Sequence, residues 1–268
     1  MKKTNNLLAE VIRIAERAGE IVMTYYKSAD LVVTEKSPNN PLTEADIACD
    51  SYLKQALIEL FPEAGWLSEE TVDSYSRLNK EYVWIVDPID GTKEFVAGIP
   101  QFAISIGLVK GAKTVLGVIY NPVTREMWSA GTETGVVLNN RTAHCSKADT
   151  LSKSRVDASN SEINRGEFEC FDEMVGKILP IGSIAYKLAR IASGDSDAAW
   201  SRGPKSLWDI CAGVHLVKES GAVITDLDGN DFLFNTENVL VNGLIATNGQ
   251  LFEQVFEMLL PYRDTART

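Results

Sequence analysis

The sequence predicts a mixed α/β fold of the α+β type, and three patterns carry that prediction. Apolar residues recur at helical spacing over 7–26 and again over 44–60. Four short apolar runs between 102 and 138 are separated by turn residues, as in an antiparallel meander. From 155 onward short strands alternate with helices. Composition agrees: of 268 residues 45% are hydrophobic and 24% charged, which places the chain among folded globular proteins rather than disordered or low-complexity ones.

In the first predicted helix Leu7, Leu8, Val11, Ile12, Ala15, Ala18, Ile21 and Val22 form one stripe. Residues 27–41 read as a polar loop marked by Ser37-Pro38-Asn39-Asn40-Pro41. The second helix, 44–60, turns Ile47, Leu53, Ala56, Leu57 and Leu60 inward and is closed by Phe61-Pro62. A buried strand over 82–86 ends at Asp87-Pro88, and the meander follows as strands 102–109, 114–121, 126–130 and 135–138. The polar stretch 139–154 is the expected boundary between an N-terminal half, 1–140, and a C-terminal half, 141–268. The second half is expected to contain a strand at 155–158, a helix at 167–175 and a short strand at 178–181. A helix over 183–192 follows, with Ser183 as N-cap and Gly194 as stop. Another covers 209–220 with Asp209 as N-cap, then a strand at 222–225, a turn at Asp228-Gly229 and a last helix at 249–260.

Several function classes are excluded. The longest apolar run, 102–109, is far below the roughly 18 residues a membrane span needs, and the N-terminal stretch lacks the apolar core of a signal peptide. The net charge is −11 and no basic run interrupts it, which disfavours a nucleic-acid polymer or an anionic membrane as partner. Cys49, Cys145, Cys170 and Cys211 form no C-x-x-C pair, so free thiols in a reducing cytoplasm are the expectation. The P-loop, dinucleotide-binding and G-x-S-x-G patterns are absent. A D-x-D nucleophile of the haloacid-dehalogenase kind does not fit either, because the acids are three apart with Pro88 between them.

The strongest chemical signal is Asp87-Pro88-Ile89-Asp90-Gly91-Thr92. A hydrophobic strand delivers two carboxylates to its end, Pro88 fixes the turn, and Gly91 lets the backbone approach a ligand. Convergent carboxylates suit Mg²⁺, which takes oxygen ligands and retains waters. Four further segments carry weaker signals. Ser68-Glu69-Glu70 reads as a solvated acidic loop or as a site. Thr43 and Asp46 match a capping box, Asp209 reads as a helix N-cap or a ligand, and Gly182-Ser183 as a capped helix start or an anion site.

Taken together, Thr43-Glu44-Ala45-Asp46, Ser68-Glu69-Glu70, the 87–92 string and Trp208-Asp209-Ile210-Cys211-Ala212-Gly213 resemble the inositol monophosphatase superfamily over nearly the whole chain. The resemblance implies a layered α-β-α-β-α sandwich and a Mg²⁺-dependent, lithium-sensitive phosphomonoesterase with two or three ions per site. It implies Glu69, Asp87 and the Ile89 carbonyl as ligands of a first metal and Asp87, Asp90 and Asp209 of a second. Asp46 and Thr92, with Glu69, match the residues that activate and orient water. It implies Gly91 and Thr92 as backbone donors to the phosphate, and Asp209, Gly182 and Ser183 are expected on the substrate side. Such carboxylates repel one another and an anionic substrate, and divalent cations reverse that field and supply a nucleophile without a covalent phospho-enzyme. Lys36 lies near the phosphate by the same resemblance, or is a solvated loop lysine. A small phosphorylated molecule is the expected partner, and a homodimer stays open.

For the ester itself the residues point two ways. Ser68, Gly91-Thr92-Lys93-Glu94-Phe95 and Gly203-Pro204-Lys205 resemble the 3′(2′),5′-bisphosphate nucleotidase branch, and Arg202 and Lys205 would suit a second phosphate. Residues 102–109 lean toward the inositol and histidinol phosphatase branches. The expectation is hydrolysis of the 3′-phosphate of adenosine 3′,5′-bisphosphate. Inositol-1-phosphate, histidinol phosphate and sugar bisphosphates are the alternative substrates, and a metal-binding homologue without turnover is the non-enzymatic one.

Overall fold

The computed structural model describes residues 2–38 and 40–262. Helix α1 (Lys2–Tyr25) is followed by a hairpin of β1 (Val33–Ser37) and β2 (Asn40–Thr43), then α2 (Glu44–Leu60). Strands β3 (Gly65–Ser68), β4 (Tyr82–Asp90), β5 (Ala103–Lys110), β6 (Lys113–Asn121), β7 (Glu126–Gly131), β8 (Val136–Leu138) and β9 (Arg141–Ala143) make a seven-stranded sheet in chain order, with the short helix α3 (Thr92–Val96) after β4. β3 pairs parallel with β4, and every later pair is antiparallel, so the predicted meander is present.

The remaining chain runs β10 (Arg155–Ala158), α4 (Asn160–Asn164), β11 (Lys177–Pro180), α5 (Ile184–Ser193), β12 (Ala198–Ser206), α6 (Leu207–Glu219), β13 (Val223–Thr225), β14 (Leu240–Thr247) and α7 (Phe252–Leu259). Its strands form a five-stranded sheet in the order β11-β10-β12-β14-β13.

Side-chain alternation on β5 shows how the layers stack. Ile104, Ile106 and Leu108 join Val11, Ala18 and Leu53 beneath α1 and α2. On the opposite face Ala103 packs with Ala212 and Leu216 of α6, and Gly107 lies directly against Cys211. A third apolar layer joins Val83 and Ile85 of β4 to α5, α6 and the second sheet, and a fourth packs α7 on the far side of that sheet. The result is the α-β-α-β-α sandwich. Among the described residues no helix is long and apolar enough to cross a membrane.

Three local expectations need correction. Residues 27–41 contain a hairpin rather than only loop; β1 is exposed along its whole length, so it carries no alternation to read (Asn39 lies outside the described residues). Residues 167–175 form no α-helix but a single 3₁₀ turn at Glu169–Phe171 between Gly166 and Gly176. There Phe168 and Phe171 are buried against the Trp200 ring, each centroid 5.3 Å away, which satisfies the apolar residues without a continuous helix. Finally, Asp209 is not an N-cap. The cap is Ser206, and Asp209 sits at the third helical position, where its carboxylate accepts the Ser206 N–H at 2.9 Å.

Candidate active site

β4 sets the centre of the site. In a regular strand residues three apart point to opposite faces. Here Asp87 pairs with Ser105 and Asp90 with Ala103, so three steps on β4 match two on β5, and the extra residue turns both carboxylates into one cleft. The Asp87 carboxylate accepts the Ile89 N–H at 3.0 Å. Gly91 then leaves the strand at φ +97°, where a Cβ would meet the Gln101 carbonyl at 3.0 Å. Thr92 follows as the first residue of α3, and its hydroxyl lies 3.2 Å from an Asp46 carboxylate oxygen and 3.1 Å from the Ile89 carbonyl. The other Asp46 oxygen accepts the Thr43 N–H at 2.8 Å and its hydroxyl at 2.6 Å, so the capping box at the start of α2 also aims Asp46 at Thr92.

The remaining carboxylates arrive from separate elements. β3 ends beside Glu69, and α6 presents Asp209 in its first turn. Oxygens of Glu69, Asp87 and Asp209 lie within 4.8 Å of one another. Asp90 accepts the Ser183 hydroxyl at 2.6 Å and the Ala185 N–H at 2.5 Å, which ties β4 to the start of α5. The Lys36 ammonium reaches Glu69 at 2.8 Å and Glu70 at 2.6 Å, so this exposed β1 lysine is ion-paired at the rim of the cluster.

This crowding shifts the acids upward. Burial, then Glu69, Asp90 and Asp209, push Asp87 well above the carboxylate range. Asp209 is raised to about 8 by burial and by Asp90. Asp90 is raised to about 6 by burial, against the opposing bonds from Ser183 and Ala185. Glu70 is raised to about 7, again chiefly by burial. A cluster of hard oxygen donors with no Cys or His among them, and held in this state, fits a divalent cation of the Mg²⁺ class better than zinc.

The cleft has a volume of about 250 Å³. Glu69, Asp87, Ile89, Asp90, Gly91, Thr92, Gly182, Ser183, Lys205 and Asp209 all line it, and Asp46 stands behind Thr92. Arg202 does not belong to it: its guanidinium donates to the Glu167 carbonyl at 3.1 Å and lies over the Phe171 and Tyr262 rings. Ser159, Ser161 and Lys187 also line the cleft, and the sequence reading passes over them. For Lys187 the signal is a lysine inside the apolar pattern of 183–192; for the two serines there is none.

The inositol monophosphatase family model matches residues 4–260. The inositol monophosphatase of Mesembryanthemum crystallinum is 34% identical over 91% of this chain and 92% of its own. The inositol-1-monophosphatase of Mesorhizobium japonicum is 29% identical over 92% and 93%. The crystal structure of the extragenic suppressor protein suhB from Bartonella henselae superposes with a TM-score of 0.86 at 28% identity, covering 96% of this chain and 99% of that one. With the site strings in place and the match running almost end to end, this chain belongs to the inositol monophosphatase family.

Proposed function

We propose that the cleft hydrolyses small phosphomonoesters, with inositol-1-phosphate as the reference substrate. The observation that supports this reading is the convergence of Glu69, Asp87, Asp90 and Asp209 beside the Asp46–Thr92 pair. The two sequence relatives described above are named inositol monophosphatase and inositol-1-monophosphatase, which favours that ester over the adenosine bisphosphate expected from Ser68 and the 91–95 string.

Glu69, Asp87 and the Ile89 carbonyl would hold one Mg²⁺, and Asp87, Asp90 and Asp209 a second. Bound there, the ions supply positive charge that offsets the phosphate's own and lowers the pKa of water. The chain's residues do the rest. The Thr92 hydroxyl, within 3.2 Å of Asp46, accepts a proton from the attacking water while passing its own to that carboxylate. Gly91, lacking a side chain, leaves room for backbone N–H groups of Gly91 and Thr92 to donate to phosphate oxygens. Ser183 and Ala185 engage one Asp90 oxygen, so the other faces the cleft with its orientation fixed.

The test is phosphate release from inositol-1-phosphate with Mg²⁺, repeated after chelation and with Asp46→Asn. Turnover that disappears with EDTA and falls about 10²-fold or more in the variant supports the reading. An inert enzyme toward every phosphomonoester supplied with Mg²⁺ would reject it.

A further inference from the structure

We propose that Asp50 is a positioning residue: through the hydroxyls of Ser68 and Thr71 it holds the Glu69-Glu70 segment against the cleft, and so sets the affinity for the divalent cation that Glu69 helps to bind. The proposal rests on the metal-dependent phosphatase reading above and deepens it.

The Glu69-Glu70 segment has little backbone support of its own. The pairing of β3 with β4 ends at Ser68 and Val86. Beyond it the Glu69 N–H makes a long contact of 3.4 Å to the Val86 carbonyl, and the Glu70 N–H one of 3.5 Å to the Ser68 hydroxyl. Lys36 binds both carboxylates, but only at their ends, and it comes from the exposed strand β1. A ligand carried on a loosely held segment loses conformational freedom when it binds, which weakens binding.

Asp50 supplies the missing hold. One of its carboxylate oxygens accepts the Ser68 hydroxyl, and the other accepts the Thr71 hydroxyl at 2.7 Å. These two donors bracket Glu69 and Glu70, so a single side chain fixes both ends of the segment. Asp50 lies in α2 four residues after Asp46, and the two therefore share a helix face. One helix thus places both the carboxylate that meets Thr92 and the stretch that carries Glu69.

The choice of an acid here runs against local electrostatics. Asp50 is 6% exposed, and among the described residues no lysine or arginine stands within ion-pair distance of it. Its surroundings are already acidic: burial, then Asp46, Asp50 and Asp87 push the neighbouring Cys49 thiol well up. Burying one more carboxylate in such a place is unfavourable. The geometry accounts for it. Two hydroxyls that both donate need two acceptor oxygens on one short side chain, and an ionised Asp offers both where Asn offers one.

The experiment titrates Mg²⁺ calorimetrically into the metal-stripped full chain. It compares the wild type, Asp50→Ala, the double variant Ser68→Ala/Thr71→Val, and the triple variant that combines them. Asp50→Ala and the double variant should each weaken Mg²⁺ binding about tenfold or more. The double variant keeps the Asp50 charge, so its loss reports positioning rather than attraction between charges. The triple variant should bind no more weakly than Asp50→Ala, because all three residues act through one pair of bonds. The rise in melting temperature that Mg²⁺ produces should shrink in step. In turnover, the Mg²⁺ concentration giving half-maximal rate should rise by the same factor, with kcat at saturating Mg²⁺ changed less. If Asp50→Ala does not fold, the double variant carries the test, with Thr71→Val alone, at a half-buried position, as its milder form. A lower metal-free melting temperature beside wild-type Mg²⁺ affinity would make Asp50 a stabilising residue only and overturn the proposal. Wild-type affinity in the double variant, or a triple variant whose loss is the product of the other two, would overturn it as well. A wild-type chain that binds Mg²⁺ but hydrolyses no phosphomonoester defeats the phosphatase reading and leaves the binding comparison to decide on Asp50; a wild-type chain that binds no Mg²⁺ defeats both.

Discussion

Gly91 occupies a position that no other residue type fits without strain. Its φ of +97° is a conformation L side chains rarely adopt, and an added Cβ would meet the Gln101 carbonyl at 3.0 Å and the Phe102 Cα at 3.3 Å, both backbone. Gly91→Ala should therefore cost about 1–3 kcal/mol, read as a lower melting temperature. It should also depress kcat, because Thr92 is the next residue. The carboxylates give a second expectation. Asp90 and Asp209 are raised to about 6 and about 8, so the folded, metal-free chain holds protons that the unfolded chain has released. Their stabilising contribution is complete below the ordinary carboxylate pKa of about 4 and is lost as pH rises through 6 and then 8. The metal-free protein should melt at a lower temperature at pH 9 than at pH 5, and saturating Mg²⁺ should flatten the difference; a melting temperature that rises with pH would contradict this origin of the shifts. At this scale the sequence is most legible where a string has few structural explanations, as at 87–92. It is least legible at Lys187, since a lysine on a helix reads as a surface residue until the neighbouring layer covers it. Arg202 and Lys205 show the same limit: three residues apart on one strand, they meet different surroundings.

Helix α6 is held close to the sheet by glycine, and that closeness places Asp209. A Cβ on Gly107 would stand 2.4 Å from Cys211 Sγ, and one on Gly117 would stand 2.6 Å from the Ala212 carbonyl oxygen. The second contact is with backbone, so a larger residue moves the helix rather than a side chain. Gly117→Ala should destabilise by about 1–3 kcal/mol and reduce kcat with it, because Asp209 sits in the first turn of the displaced helix. Thermal melting and steady-state rates of the one variant check both parts; unchanged kcat beside a lowered melting temperature would mean that α6 position does not set the site. Ser206-Leu207-Trp208-Asp209 contains a readable S-x-x-D capping pattern, so the helix start was available to sequence reading two residues earlier than 209. β12 and β14 were not. β12 turns from Ala198-Ala199-Trp200 to the polar Arg202-Gly203-Pro204-Lys205, and β14 contains Gly243 at φ +68°, so neither presents a sustained alternation. Their pairing, with a register shift between Ser201 and Pro204, comes from the partner strand rather than from local pattern.

Across the whole molecule, a chain of net charge −11 gathers acids from the end of β3, from β4 and from α6 into one cleft, with Asp46 of α2 behind Thr92. The family resemblance is legible because its strings lie along most of the chain, while the cleft itself forms only when the sheets and helices stack. Such an arrangement trades stability for function: the metal-free fold carries mutual repulsion that a bound cation relieves. Ligand linkage sets the scale, about 2.7 kcal/mol of added stability when a bound ion exceeds its dissociation constant a hundredfold. Asp87 is the most exacting test, since it is 1% exposed and feels Glu69, Asp90 and Asp209 together. Asp87→Asn keeps the shape and removes the charge. In the absence of metal at pH 8 the variant should melt above the wild-type chain, because one buried repelling group is gone. On adding Mg²⁺ the order should reverse, because the wild type gains the linkage term and the variant gains little, and phosphate release should fall to background. A variant that melts below the wild type without metal would show that Asp87 is stabilised by its neighbours rather than strained among them, and the cleft would no longer be one that requires a cation.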